Sequence, residues 1–333
     1  MIMIVLVSFA LAFIITFATI PILIRQFRRA EIVGIDVNKR EKPKIPFLGG
    51  LSIIFGFSVA ILLMSGIGEN FNFNLDPSVA FMIIGVPIIS GFIGITDDLI
   101  RIPRMVKAVV MLIPAVPLII LHSGVPVISL PFQMTVDLTN ISWLYWFVLV
   151  PIGITGASNA IGMTDIHNGL ATGETVIASF FLIVIAYIMN ANEIAILIFG
   201  VLIGSSIAFF VFNKYPSKIF LGDTGSLTLG ALIAMGAIIG SIEFYGLVCI
   251  LPTFYELGAT VYYKFKGIER RDACINPVIL DDGRLKPPEG AERYTLFYYI
   301  LSKKSMEEKK LVYTVLLLYA ICGMIALGLS LAR

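Results

Sequence analysis

The sequence predicts an all-α, polytopic membrane protein with about ten transmembrane helices, both termini outside and its chemistry at the cytoplasmic face. Three observations carry this. The 333 residues are 58% hydrophobic and only 14% charged, where soluble domains carry roughly 25% charged residues. Apolar runs long enough to span a bilayer recur along the whole chain. The basic residues gather in alternate connections, as Lys and Arg do on the cytoplasmic side of a membrane. The whole chain, 1–333, reads as one membrane domain with a single long cytoplasmic loop at about 264–310.

The spanning candidates run at about 1–24, 47–65, 79–96, 104–122, 141–158, 174–190, 193–212, 226–242, 244–263 and 311–332. The first is long enough to span, and no small-residue cleavage site follows it, so it is expected to stay as a helix. Loop 25–46 holds seven basic residues, Arg101, Arg104 and Lys107 flank the next cytoplasmic connection, Lys214 and Lys218 follow helix seven, and 264–310 holds eleven. The connections 66–78, 123–140, 190–193 and 241–243 hold none. This alternation sets the orientation and points to a membrane surface rather than nucleic acid. Cys249, Cys274 and Cys322 lack metal or redox spacing and read as ordinary small residues. No internal repeat is evident, which weakens a transporter reading.

The chemistry-bearing stretches fall on the cytoplasmic side. Asn213 to Gly230 places an Asn, two Lys, an Asp and several Gly between two apolar runs. Within it Gly222-Asp223-Thr224-Gly225-Ser226 reads as a tight turn opening a helix, with Ser226 as N-cap. Such a helix start suits phosphate, and Asp223 beside phosphate suits a divalent cation; the plain alternative is a helix-capping Asp. Asp97-Asp98 ends helix three, with Lys107 at the start of the next. A carboxylate pair there needs a cation beside it or solvation by headgroups. Asn159 to Leu170 carries Asp165, His167 and Asn168 and no basic residue; substrate contact and helix capping are both open for it. Loop one ends in Lys42-Pro43-Lys44-Ile45-Pro46-Phe47-Leu48-Gly49-Gly50. The long loop carries Arg270 and Arg271, which suit phosphate or merely anchor the loop to the surface. Glu256, inside an apolar run, is either functional or a buried structural partner.

Together these residues resemble the polyprenyl-phosphate N-acetylhexosamine-1-phosphate transferases, over almost the whole chain. Asp97-Asp98 with Lys107 looks like the family's aspartate pair and following lysine. Asn159 to Gly173 looks like its Asn-rich run ending in (Asp/Asn)-Gly-Leu. Asn213, Pro216 and Gly222 to Ser226 look like its Asn-x-x-Pro…Gly-Asp-x-Gly-Ser segment. Gly34, Asp36, Asn38 and Lys39 look like the Gly-x-Asp-Leu-Asn-Lys stretch of the dolichyl-phosphate branch, and Asn168, where bacterial relatives usually have Asp, points the same way. The chain departs from the pattern at Gly162, where the family usually has a second Asn, a magnesium ligand in the dolichyl-phosphate enzymes. Its last loop also lacks both the His-rich motif of the peptidoglycan-precursor enzymes and the Arg-His-Arg of the eukaryotic ones.

The resemblance implies an archaeal-like enzyme of the dolichyl-phosphate branch. It would move N-acetylglucosamine 1-phosphate from UDP-N-acetylglucosamine to a polyprenyl or dolichyl phosphate and release UMP. It implies Mg²⁺, with Mn²⁺ as a substitute, on Asp223. Asp165, one helical turn from Gly162, either supplies the missing ligand or touches the nucleoside. Asp97, Asp98, Lys107 and Asp223 are the expected catalytic set; Lys42, Asn159, Asp165, Asn168, Asn213, Arg270 and Arg271 are the expected substrate binders. A phospho-N-acetylmuramoyl-pentapeptide-type or other UDP-aminosugar transferase is the near alternative, and an ion-coupled transporter the distant one. The setting implied is the cell membrane, or the endoplasmic reticulum membrane in a eukaryote, with room for a homodimer.

Overall fold

The computed structural model describes residues 2–268 and 276–332. The chain is a polytopic helical membrane protein, 70% helix and 5% strand. Long apolar helices α1 (Ile2–Arg29), α2 (Gly50–Ile67) and α3 (Pro77–Ile100) come first. Asp76 caps α3 by accepting the Ser78 N–H at 2.7 Å, with Pro77 at the first helical position where its missing donor does no harm. Next come α4 (Arg104–Val110) and α5 (Val116–Leu121), separated by a 3₁₀ turn over Ile113–Ala115. The single span expected at 104–122 is therefore broken: Pro114 and Pro117 each lack the N–H that a continuous ladder needs.

α6 (Ser142–Leu144), a π turn and α7 (Val150–Thr164) form the next crossing, over Thr139–Thr164. α8 (Leu170–Ile188), α9 (Glu193–Asn213) and α10 (Gly222–Ile239) follow. α11 (Glu243–Cys249) and α12 (Leu251–Phe265) meet at 78°, with Pro252 at the break, so the straight span expected at 244–263 is a bent pair. α13 (Leu296–Lys303) and α14 (Glu308–Leu331) close the chain. Among the described residues eight helices are long and apolar enough to cross, or nine with the bent pair as one, against the ten expected. Among the described residues three short antiparallel hairpins sit in the connections, a feature the all-α expectation omits: β1 (Val33–Ile35) with β2 (Lys44–Pro46), β3 (Val127–Ser129) with β4 (Thr135–Asp137), and β5 (Val278–Ile279) with β6 (Leu285–Lys286).

α10 is the axis. It packs on α2, α3, α7, α8 and α9 and is the most buried of the long helices. Its run of Gly, Ala, Ser and Thr lets backbones approach closely, which is how helices associate where lipid offers no hydrophobic gain. A Cβ on Gly50 would stand 2.2 Å from the Gly225 nitrogen, so α2 and α10 touch backbone to backbone. The end of loop one explains its Pro-Phe-Leu-Gly-Gly run in the same way. Phe220 N–H donates to Pro46 O at 2.8 Å, and Gly49 and Gly50 N–H donate to Phe220 O and Leu221 O at 2.9 Å. Loop one is thus zipped to the chain leading into α10. The last loop folds back too: Leu285, Ala291, Phe297 and Leu301 form a second apolar core with Leu170 of α8 and Leu311, Val315 and Tyr319 of α14. Glu256 is fully buried and accepts the Leu296 N–H at 2.7 Å, which ties α12 to the start of α13.

Candidate active site

The aspartate pair, the lysine and the Gly-Asp-Thr-Gly-Ser segment converge at one end of the bundle. Lys107 Nζ bridges two carboxylates from distant parts of the chain, Asp97 Oδ2 at 2.6 Å and Asp223 Oδ2 at 2.5 Å. Asp97 Oδ1 also accepts the Ile102 N–H at 2.6 Å, which fixes its carboxylate at the end of α3. Asp98 faces the other way and caps α10. It accepts the Asp223 N–H at 2.9 Å, the Thr224 N–H at 3.0 Å and the Thr224 hydroxyl at 2.7 Å. These are the orphan donors of a helix start, and a carboxylate there also favours the positive end of the dipole.

That capping corrects one expectation. α10 begins at Gly222, a turn earlier than the sequence predicts, and Ser226 lies buried inside it, its hydroxyl without a hydrogen-bond partner among the described residues, rather than as N-cap. The cap comes from α3 instead. Gly222 is required: its φ is +74°, and a Cβ would stand 2.7 Å from Asp98 Oδ2.

The other expected site residues divide into those on the site's cavity and those beyond it. A cavity of about 490 Å³ opens between loop one, the turn after α7 and the start of α10; Asp98, Arg101, Asp165, Asn168, Asn213 and Gly222 line it. Asp165 sits just past α7. Burial first, then repulsion from Asp223 and Asp98, hold its carboxyl well above the usual carboxylate range, against a backbone hydrogen bond from Gly222. Asn168 donates from Nδ2 to Asp36 Oδ2 at 3.0 Å. Asn213 closes the loop ahead of α10 by donating to Ile219 O at 2.9 Å while accepting from the Thr172 hydroxyl at 3.3 Å. Asn159 spends its amide on Thr155 O one turn back in α7, at 2.8 Å, and lies off the cavity wall. Lys42 is exposed in a turn of loop one, also off the wall. Arg270 and Arg271 lie outside the described residues.

The donor set suits a hard divalent cation. Asp97, Asp98, Asp165 and Asp223 share the region with Lys107 and Arg101, four carboxyl groups against two cations. Among the described residues no three His, Cys, Asp or Glu side chains form a ready-made metal cage. Mg²⁺ fits this pattern, since it takes one or two carboxylates and keeps its waters. Asp223, with Asp165 beside it, is the pair available.

A second cavity, apolar and about 360 Å³, lies between α7, α10 and the bent α11–α12 pair. Gly153, Gly156 and Ala157 on one side and Ile233, Ala234 and Ala237 on the other leave the room, and Phe254 and Leu257 of α12 border it. Ten residues of helix separate Asp223 from Ile233, about 15 Å.

Sequence reasoning passes over Arg101 and Glu308, both of which belong to this region. Arg101 was visible only as part of a charge count. Glu308 opens a terminal helix 85 residues beyond Asp223, and nothing local marks it.

Residues 80–241 match the model of glycosyl transferase family 4. A protein of Saccharolobus solfataricus named as a UDP-N-acetylglucosamine–dolichyl-phosphate N-acetylglucosaminephosphotransferase is 32% identical, over 79% of this chain and 80% of its own. One of the same name from Sulfolobus acidocaldarius is 29% identical, over 79% and 80%. A phospho-N-acetylmuramoyl-pentapeptide-transferase of Halalkalibacterium halodurans is 30% identical, over 79% and 84%.

Proposed function

The chain belongs to glycosyl transferase family 4, and from that premise we propose that it transfers N-acetylglucosamine 1-phosphate from UDP-N-acetylglucosamine to a dolichyl or other polyprenyl phosphate, releasing UMP. The observation that carries this is Lys107 held between Asp97 and Asp223, whose chain neighbours Asp98 and Gly222 line the polar cavity. The segregation of basic residues supports placing that cavity at the cytoplasmic face of the cell membrane.

An acceptor phosphate oxygen attacks the β-phosphorus of the donor; that O–P bond forms as the bond to the UMP oxygen breaks. Such a transfer needs positioning and charge neutralisation more than covalent chemistry. The second pKa of a phosphate monoester is about 6, so the acceptor arrives largely ionised and needs no strong base. Lys107 supplies positive charge where three phosphoryl groups meet. Asp97, anchored by Ile102, orients that ammonium and the incoming acceptor. Asp98 holds the first N–H groups of α10 in place beside the transferred group. Asn168 and the loop shaped by Asn213 offer amide edges to the nucleoside and sugar. Asp223, with Asp165 as the candidate second ligand, would hold Mg²⁺, which would supply positive charge against the diphosphate. The apolar cavity takes the first isoprene units of the acceptor.

The test uses donor labelled in its sugar. Purified protein in detergent with dolichyl phosphate and Mg²⁺ is expected to move the label into the organic phase. Uptake of label into sealed proteoliposomes, with no lipid acceptor and no extractable product, would contradict the reading and favour transport.

A further inference from the structure

We propose that Glu308 is a positioning residue for nucleotide-sugar binding, the hub that locks the turn after α7 to loop one; this rests on the donor reading above. Glu308 stands in the first turn of α14 and is almost fully buried. Both of its oxygens are engaged. Oε1 accepts the Asn168 N–H at 3.2 Å and is faced by His167 Nδ1 at 3.6 Å. Oε2 accepts from Lys39 Nζ at 2.7 Å.

Lys39 continues the chain of contacts. Its ammonium also donates to Asp36 Oδ2 at 2.7 Å and lies 4.6 Å above the Tyr215 ring. That same Asp36 oxygen accepts the Asn168 side-chain N–H at 3.0 Å. The contacts close a ring: Glu308, Lys39, Asp36, Asn168 and back to Glu308. Asn168 is therefore held twice, by its backbone and by its amide. The bond to Asp36 also sets which way round the amide sits, leaving its carbonyl oxygen to accept from a ligand. Asn38 seals the junction by donating to Ile166 O at 2.9 Å.

The placement separates holders from contacts. Asp36, Asn38, His167 and Asn168 line the 490 Å³ cavity, whereas Glu308 and Lys39 do not. Glu308 thus acts on a ligand only through the residues it holds. The charges make it separable by mutation. Lys39 faces both Asp36 and Glu308, so neutralising Glu308 leaves a balanced Lys39–Asp36 pair rather than a stranded buried charge.

The experiment compares wild type with Glu308→Gln and Glu308→Ala, as purified full chains, by steady-state kinetics with each substrate varied in turn and by thermal unfolding. Hydrogen bonds to charged groups are the stronger class, so KM for UDP-N-acetylglucosamine is expected to rise about tenfold in E308A and about fivefold in E308Q. KM for dolichyl phosphate and kcat are expected to stay within about twofold. A merely structural Glu308 would instead lower the melting temperature and the active fraction, with both KM values unmoved. Donor KM within about twofold of wild type in both variants overturns the role. If E308A does not purify folded, E308Q decides on the same criterion. No transfer by wild type overturns the reaction itself and this role with it; transfer with unmoved donor KM overturns the role of Glu308 alone.

Discussion

Asp223 accepts from Lys107 and is the proposed holder of the cation, and it is the residue whose loss the account tolerates least. Asp223→Ala is expected to abolish transfer while the protein still purifies folded, because the α10 cap comes from Asp98 and survives. Activity above about a tenth of wild type would be hard to reconcile with a metal-ligating, lysine-pairing carboxylate, whose loss should remove several kcal/mol of transition-state stabilisation. Asp165 makes a sharper case. A carboxyl held above its ordinary range destabilises the fold once the unfolded chain would ionise it. That penalty is absent below about pH 4 and grows as pH rises toward the folded pKa. Asp165→Asn is therefore expected to melt higher than wild type at pH 7 without metal, with the gain shrinking toward pH 4 in a thermal unfolding series. A constant gain across that range would contradict the cause given. The same variant should need more Mg²⁺ for activity, and Gly162→Asn should partly restore the requirement. A Cβ at Gly162 meets only ordinary contacts, Leu227 at 3.4 Å and the Ser226 hydroxyl at 3.6 Å, so the new amide fits. A change confined to donor KM would instead place Asp165 on the nucleoside.

Between elements, the contact that matters most is α3 with α10. Asp98 ends one helix and begins the other, and Gly94 lets them close: a Cβ there would stand 2.5 Å from the Asp223 carbonyl and from Thr224. Asp98→Ala removes three accepted hydrogen bonds from the start of α10. A lost N-cap typically costs about 1 kcal/mol and up to about 2, so a lower melting temperature is expected together with lost transfer. Asp98→Asn keeps an acceptor oxygen and should recover part of the stability. If Asp98→Ala melts like wild type, the capping account fails. This contact also marks how far local reasoning reaches. The Gly-Asp-Thr-Gly-Ser run is legible as a helix start because its glycines and lone carboxylate are local facts. Its cap is not legible, because Asp98 lies 125 residues away, and the nearby Ser226 is the better local candidate. The broken span at 104–122 and the bend before α12 were readable in principle from Pro114, Pro117 and Pro252, but hydropathy alone runs straight through them.

Across the whole molecule, the class is legible from the sequence. Composition needs no tertiary knowledge, and Asp97, Lys107 and Asp223 do converge. The walls of the cavity were harder to see. Loop one is held by backbone bonds from Pro46, Gly49 and Gly50 to the approach to α10, which carry no side-chain signature. The ring through Glu308 joins three segments that only the fold makes neighbours. Neutralising its other member should therefore act globally. Lys39→Gln leaves Asp36 and Glu308 facing each other, and removing one partner of a buried pair typically costs about 3–5 kcal/mol. Lys39→Gln is thus expected to melt well below Glu308→Gln. Equal melting temperatures would show that the ring carries no coupled charge.

The measurement closest to the central claim follows the β-phosphorus. UDP-N-acetylglucosamine labelled at that atom, incubated with the purified protein, dolichyl phosphate and Mg²⁺, is expected to give labelled lipid and unlabelled UMP in equal amounts. Label recovered in UDP, with the sugar alone on the lipid, would show glycosyl rather than phosphosugar transfer and contradict the account.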